Sequence, residues 1–243
     1  MPTTRTTEND CPHAPPLRGS LPPEGAVSPW GGPAAKLHMT DFIYLASQSP
    51  RRKQLLEQWG VRCELLLPDA GEDAESLEAV LPSEAPAAYV QRVTGLKLQA
   101  SLTRLKHRGL PPAPVLCADT TVALGRRILG KPADAQEAGT MLASLAGKRH
   151  RVLTAVAVGV PGKRSSRLHA ALSTSWVTFE PLTAQQIARY VVSGEPMGKA
   201  GAYAIQGRAS LWVSHISGSY SGIMGLPAHE TAQVLQAAGV RLI

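Results

Sequence analysis

The sequence has few cysteines, few aromatic side chains and no long apolar run, and each shortage excludes a class of protein. Its three cysteines, Cys11, Cys63 and Cys117, are far apart and form no Cys-x-x-Cys pair. This excludes a disulfide framework and a cysteine-rich zinc site, and it suits a reducing cytoplasm. No apolar run reaches the roughly 18 residues of a membrane helix, and the first residues lack the apolar stretch of a secretory signal. The sequence therefore predicts a cytoplasmic protein with no membrane partner.

The charge balance is the first positive indication of function. The 243 residues include 25 Lys and Arg against 18 Asp and Glu, a formal net charge of +7. A basic chain favours anionic partners such as nucleotides, nucleic acid or phosphorylated metabolites. A nucleic-acid-binding protein is expected to cluster its basic residues with exposed aromatics. Here aromatics make up only 5% of the chain and the basic residues are scattered, so we expect no nucleic-acid partner.

Residues 1–38 differ in composition from the rest of the chain. They contain eight Pro and four Gly and show no hydrophobic period. Such a segment cannot bury enough apolar surface to offset the entropy lost when it becomes ordered. We predict a disordered, dispensable extension over residues 1–38 and one folded domain over residues 39–243, with Met39 as a candidate start.

Strand-like and helix-like patterns alternate along the remaining residues. Apolar, β-prone runs predict strands at 42–46, 61–67, 115–124, 126–129, 151–160, 168–179 and 210–216. Capping and stop signals predict helices at 50–59, 85–104, 135–145, 184–192 and 228–238. The second of these helices is expected to bury a stripe at Tyr89, Val93, Leu96 and Ala100. Because hairpins are interposed between helices, the pattern predicts an α/β fold with a mixed sheet.

The loop at residues 47–52, Ser-Gln-Ser-Pro-Arg-Arg, is a candidate anion site. Ser49 at the N-cap with Pro50 at the first helical position is a strong helix start. The N–H groups at such a helix start attract anions, and the guanidinium groups of Arg51 and Arg52 match phosphate oxygens. Alternatively, Ser49 only caps the helix and the arginines are solvated. No Gly-x-x-x-x-Gly-Lys-Ser/Thr string is present, which disfavours a P-loop enzyme.

Two further segments are candidates for chemistry. Asp119 follows the apolar run 115–118, so we expect it at or near a strand end, a common position for a catalytic base or metal ligand. The alternative is an Asp that bonds to its own turn. The glycine-rich segment 194–207 carries Gln206, whose amide is both donor and acceptor and can recognise a base edge. The alternative there is an ordinary connecting loop.

Four strings in this order carry a resemblance to a known family. They are LASQSPRRKQLLEQWG at 45–60, ADTTVALGRRILGKP at 118–132, GEPMGKAGAYAIQG at 194–207 and GSYSGIMGLPAHET at 218–231. Together they resemble the Maf family of nucleoside triphosphate pyrophosphatases. The resemblance implies an elongated mixed sheet flanked by helices and split by a deep cleft, as in the related inosine triphosphate pyrophosphatases. It also implies cleavage between the α and β phosphates of a nucleoside triphosphate, a divalent cation (Mg²⁺ or Mn²⁺), and a homodimer.

The resemblance assigns roles position by position. These are proton acceptor for Asp119, base specificity for Arg51, Thr120 and Gln206, phosphate binding for Ser47, Arg52, Lys97 and Lys131, and metal binding for Glu72. The match around Glu72 is the loosest, because that residue lies in an acidic run which is by default a solvated face.

The three specificity positions indicate a branch of the family. Arg51, Thr120 and Gln206 follow the branch similar to enzymes for dTTP and UTP, with modified pyrimidine nucleotides as further candidates. The other branch, for 7-methyl-GTP, carries Trp, Gln and Glu in the corresponding strings and stays as the alternative within the family. Cys117 and Gly198 depart from the common Gly and Asp of relatives. A non-enzymatic regulator of septation or a nucleic-acid-binding protein remains the alternative from a different class.

Overall fold

The computed structural model describes residues 42–69, 71, 72 and 76–242 of the chain. The extension predicted at 1–38 lies outside the described residues, so the division of the chain at residue 39 stays a prediction. Among the helices of the described residues, none combines the length and apolarity needed to cross a membrane.

The described residues form one mixed sheet of seven strands. The strands are β1 Ile43–Leu45, β2 Cys63–Leu65, β3 Val115–Leu124, β4 Arg127–Leu129, β5 Arg149–Val160, β6 Arg167–Phe179 and β7 Val213–Ser217. Their order is β2-β1-β3-β5-β6-β7, with β4 paired to β3 outside this path. β1 runs parallel to β2 and β3, and the remaining pairs are antiparallel. The predicted α/β class with a mixed sheet is confirmed.

Six α-helices and three short 3₁₀ turns flank this sheet in the described part of the chain. The helices are α1 Pro50–Gln58, α2 Pro86–His107, α3 Ala135–Leu145, α4 Ala184–Val192, α5 Tyr220–Met224 and α6 Ala228–Ala237, and the 3₁₀ turns are Ser76–Glu78, Ala200–Ala202 and Arg208–Trp212. The capping box predicted at Thr183 is complete with Gln186. The one predicted at Asp134 is half formed: Asp134 accepts from the Glu137 amide, but the Glu137 carboxylate accepts from the Ala133 amide. Such caps satisfy donors that the first helical turn leaves unpaired.

Two predictions within these elements are wrong. The strand predicted at 210–216 begins only at Val213, because the Ser210 amide bonds to the Gly207 carbonyl and starts a 3₁₀ turn instead. The stripe predicted on α2 is also displaced. Val93 is fully buried, but Leu96 is 39% exposed. The face that α2 buries is carried by Val90, Val93 and Leu98, and Leu96 lies outside it, about 120° from Val90 around the helix.

A gap along one edge of β3 splits the sheet. On that edge, Val115 and Leu116 pair with β1, and residues 122–124 pair with β4. Between them, the registers of the described strands pair residues 117–121 with β5 alone. Asp119 lies here, opposite Ala155, in the middle of a ten-residue strand. The predicted strand-end position of Asp119 is therefore wrong, since the chain continues past it to form the hairpin with β4.

Candidate active site

A cleft of about 850 Å³ opens at this gap. All nine residues that the sequence predicts for the site line it: Ser47, Arg51, Arg52, Glu72, Lys97, Asp119, Thr120, Lys131 and Gln206. They come from α1 and the loop before it, the segment before α2, α2 itself, β3, the end of the β4 hairpin and the glycine-rich loop. The fold thus brings together side chains that are distant along the chain, whereas the role of each remains a prediction.

Arg52 is held in the cleft by three hydrogen bonds. Its Nε donates to the Gly225 carbonyl at 2.8 Å, its Nη1 to Ser47 Oγ at 3.1 Å and its Nη2 to Thr120 Oγ1 at 3.3 Å. Burial lowers the pKa of Arg52, and the charge of Asp119 opposes that effect. Arg52 therefore joins the loop before α1, the β3 strand and the end of α5 at one point.

The remainder of the 47–52 loop is also preorganised. Ser49 occupies the N-cap position of α1, but its side chain makes no capping bond. Its amide donates instead to Ser47 Oγ at 3.2 Å. Arg51 Nε donates to the Met224 carbonyl at 3.3 Å. Both arginines are thus tied to the backbone after Ile223, and neither is merely solvated.

The centre of the cleft holds a chain of alternating charges. Lys97 Nζ lies 2.6 Å from Asp119 Oδ1 and 2.7 Å from Glu78 Oε1. Lys131 Nζ donates to the same Glu78 carboxylate at 2.9 Å. Burial raises the pKa of Glu78, but the hydrogen bonds and charges of the two lysines outweigh it and leave the pKa below its ordinary value. Burial lowers the pKa of Lys97, but Asp119 and Glu78 leave it raised, so the lysine remains a cation.

Glu78 is the site residue that sequence reasoning missed. It belongs to an acidic run that was interpreted as a solvated face. Two contacts fix it in the cleft: Tyr89 Oη donates to its carbonyl at 2.9 Å, and Arg92 donates to the next carbonyl, that of Ala79, at 2.8 Å. Arg92 also binds both carboxylate oxygens of Glu84. The side chains that hold Glu78 belong mainly to α2, so no pattern within the acidic residues around Glu78 distinguishes it from its neighbours.

Glu72 has a different environment. Its two carboxylate oxygens accept hydrogen bonds from Arg104 Nε at 2.8 Å and Nη2 at 2.5 Å. The Arg104 side chain is only 6% exposed and also donates to the Leu66 carbonyl. This fork lowers the pKa of Glu72 to about 2. Glu72 thus lies in the cleft wall as the partner of a buried arginine, and its metal-binding role stays a prediction.

Opposite these charges, the cleft wall is polar and uncharged. Thr120 Oγ1 accepts from Arg52 and lies 2.9 Å from Thr154 Oγ1. Thr154, which is 1% exposed, donates to the Gly222 carbonyl at 2.7 Å, so Thr120 donates to Thr154. The Gln206 side chain is exposed and makes no hydrogen bond to the described residues. It is the free amide of this wall.

These features suit an anionic ligand that carries a polar ring. Arg51, Arg52, Lys97 and Lys131 supply cations, and Arg and Lys are the usual protein donors to phosphate. Magnesium is commonly held by one or two carboxylates together with substrate phosphates. Glu78 and Asp119 offer such oxygens, although no group of three or more His, Cys, Asp or Glu suited to a metal occurs among the described residues.

Comparison with known proteins gives consistent matches. Residues 42–238 match the model of a family described as Maf-like protein. The chain is 66% identical over 204 residues to the dTTP/UTP pyrophosphatase of Albidiferax ferrireducens, which covers 84% of this chain and 100% of that protein. It is 65% identical over 202 residues to that of a Polaromonas species, covering 83% and 98%. The corresponding protein of Cupriavidus metallidurans is 62% identical over 202 residues, covering 83% and 99%.

Proposed function

The chain belongs to the Maf family, and from this premise we propose that it is a nucleoside triphosphate pyrophosphatase that hydrolyses dTTP and UTP. The products are the monophosphate and pyrophosphate, which suits a house-cleaning role in the nucleotide pool. One observation carries the proposal: a carboxylate, Asp119, is held 2.6 Å from Lys97 in a cleft lined by further cations. The high identity to proteins named dTTP/UTP pyrophosphatase supports the same substrates.

The side chains divide the reaction between them. Ser47, Arg52, Lys97 and Lys131 bind the triphosphate, whose developing charge they stabilise from fixed positions. Asp119 accepts the proton of the attacking water, as a positioned general base. Lys97 orients this carboxylate through the 2.6 Å ion pair. Glu78 contacts both Lys97 and Lys131. A phosphate that binds these two ammonium groups therefore either binds beside the Glu78 carboxylate or displaces it.

We propose that the reaction uses Mg²⁺ or Mn²⁺ and that Glu78 helps to hold it. When bound, the cation spreads the charge of the triphosphate. The donor chemistry fits, because Glu78 and Asp119 both contact the ammonium group of Lys97 and so bring two carboxylates close together in the cleft. Glu72, which the resemblance assigns to the metal, has both oxygens on Arg104.

Two matched variants separate these carboxylates. Glu78→Gln is expected to raise the Mg²⁺ concentration for half-maximal activity by roughly tenfold or more, since even outer-shell partners of a metal are worth that much. Glu72→Gln is expected to leave it within about twofold. The reverse pattern would restore the metal role to Glu72.

The wall that carries Thr120 and Gln206, together with Arg51 of the same cleft, is proposed to recognise the base. These three residues match the branch that acts on dTTP and UTP. A pyrophosphate-release screen over natural and modified nucleoside triphosphates, including 7-methyl-GTP, tests this. We expect dTTP and UTP to give the highest kcat/KM. Preference for 7-methyl-GTP would overturn the substrate assignment, and no hydrolysis at all would favour a regulatory protein.

We propose further that the protein acts on free nucleotides and does not bind nucleic acid. The proposal rests on the low aromatic content of the chain, 5%, and on its scattered basic residues. Filter binding over a salt series is expected to show no retention. Retention that falls steeply with salt would contradict the proposal.

A homodimer in the cytoplasm completes the proposal. Cys63 and Cys117 are free thiols, as expected in a reducing compartment. Light scattering after size-exclusion chromatography is expected to give twice the chain mass of 25.7 kDa. A mass of one chain would contradict the dimer.

A further inference from the structure

Gln206 is presented to the cleft by a tight turn. The Gly207 amide donates to the Ala204 carbonyl at 3.0 Å and closes a four-residue turn with Gln206 in its third position. The Gln206 side chain makes no hydrogen bond to any described residue. The place from which its side chain enters the cleft therefore depends on how this turn is held.

Two side chains outside the cleft hold both ends of the turn. Tyr190 Oη accepts from the Ala204 amide at 3.4 Å and donates to Glu195 Oε1 at 2.9 Å. The Glu195 carboxylate accepts from the Arg208 amide at 3.0 and 3.2 Å. Thus one tyrosine–glutamate pair binds the residue that opens the turn and the residue that follows it.

The contact between this pair and the turn is close. A Cβ at position 207 would fall on the Glu195 carboxylate, so a side chain there would displace the carboxylate from the turn. The φ of Gly207 is −96°, which other residues also adopt, so the close approach of the carboxylate, and not the backbone angle, distinguishes this position.

The tyrosine is itself rigid. Tyr190 is 3% exposed and packs edge-on against Trp212, with ring centroids 4.9 Å apart. Burial, together with the hydrogen bond to Glu195, raises the pKa of Tyr190, so the phenol stays protonated and keeps its donor role. Neither Tyr190 nor Glu195 lines the cleft.

We infer that Tyr190 and Glu195 are positioning residues for base specificity, which act through Gln206 and do not touch the substrate. The inference rests on the proposed function, in which Gln206 recognises the base. A recognising amide discriminates better when the backbone that carries it is held in one place, because a mobile turn would bring the amide to either hydrogen-bonding pattern of a pyrimidine. UTP and CTP differ in that pattern and share the same triphosphate.

A double-mutant cycle on Glu195→Ala and Gln206→Ala tests the inference, with kcat/KM for UTP divided by kcat/KM for CTP as the readout. We expect each single variant to lower this ratio by roughly tenfold, and the double variant to lower it no further than Gln206→Ala alone. Glu195→Gln, which keeps an acceptor oxygen, is expected to restore the ratio to within about twofold of the wild type.

Other outcomes separate the two levels of the argument. If Glu195→Ala lowers kcat/KM for both nucleotides equally and the ratio is unchanged, the residue is only structural and the inference is overturned. If Gln206→Ala itself leaves the ratio unchanged, the base-reading role in the proposed function fails, and the inference with it. Should Glu195→Ala not fold, Tyr190→Phe replaces it, since it removes the hydroxyl and keeps the ring against Trp212.

Discussion

Asp119→Asn separates the chemistry of the cleft from its stability. Asparagine keeps the shape of the side chain and an oxygen for Lys97, but it cannot accept a proton. Lys97 is not left alone, because Glu78 stays 2.7 Å away. The change therefore replaces an ion pair with a hydrogen bond from the same ammonium group to a neutral oxygen, so the charge of the acceptor is lost and the bond itself is kept.

The two expected losses differ in size. The free energy of unfolding should fall by about 1 kcal/mol, which for a domain of this length lowers the melting temperature by about 2–4 °C. The loss of the general base should lower kcat by roughly 10²–10⁴-fold, or about 3–5 kcal/mol of activation free energy. An activity loss several times larger than the stability loss is the signature of a reacting group.

The assay is pyrophosphate release from dTTP, with the melting temperature of each variant and calorimetric binding of dTTP to Asp119→Asn. Nucleotide binding is expected to persist, because the cations that bind the phosphates are untouched. Asp134→Asn is the matched control, since it makes the same change at the α3 cap, where asparagine serves equally well. Retention of more than about a tenth of kcat in a folded Asp119→Asn would refute its role as the general base.

Three other predictions follow from the sequence and the site. Arg51→Trp combined with Thr120→Gln should lower kcat/KM for dTTP and UTP far more than it lowers the melting temperature, because a site that hydrogen-bonds its substrate discriminates strongly once those partners are lost; values within about twofold of the wild type would show that these residues do not set specificity. Glu72→Gln should destabilise the fold at neutral pH, since it leaves buried Arg104 without its carboxylate. The folded pKa of Glu72 is about 2, below an unfolded value of about 4.3, so the wild-type advantage is complete above the unfolded pKa and shrinks as pH falls through the folded one, as denaturant titrations at several pH values will show. If the advantage does not change between neutral pH and acid, the Glu72–Arg104 pair is not its source. A chain beginning at Met39 should match the full chain in melting temperature and dTTP turnover; a drop of more than a few degrees or a large loss of activity would show that the preceding segment packs on the domain.

Elements with strong local signals were predictable from the sequence. The β3 range, 115–124, agrees at both ends because apolar residues mark each end, at 115–118 and at 122–124. The capping box at Thr183 and the end of α1 before Gly60 also agree, since each depends on a few adjacent residues. By contrast, α5 was missed, because five residues with an internal glycine give no measurable period.

What depends on distant segments was not predictable from local patterns. The strand-end expectation for Asp119 rests on the apolar run 115–118, which stops just before it, whereas the strand and the hairpin predicted at 115–129 already continue past it. Glu78 was not distinguished from its acidic neighbours, because α2 places it. The remaining site residues were assigned through the family resemblance, which carries information on spatial proximity that spacing along one chain lacks.

The gap beside β3 has a consequence for how the two halves of a nucleotide are handled. Adjacent residues of a strand point to opposite faces of a sheet. Accordingly, Asp119 meets Lys97 of α2 on one face. On the other face Thr120 meets Thr154, which donates to the Gly222 carbonyl of α5. Both line one cleft because the cleft passes through the sheet where its edge is open. In the proposed reaction the bond between the phosphates is cleaved on the Asp119 face of the sheet, and the base is recognised on the Thr120 face. Substitutions behind the α5 face can therefore change the preferred base while the scissile bond keeps its place.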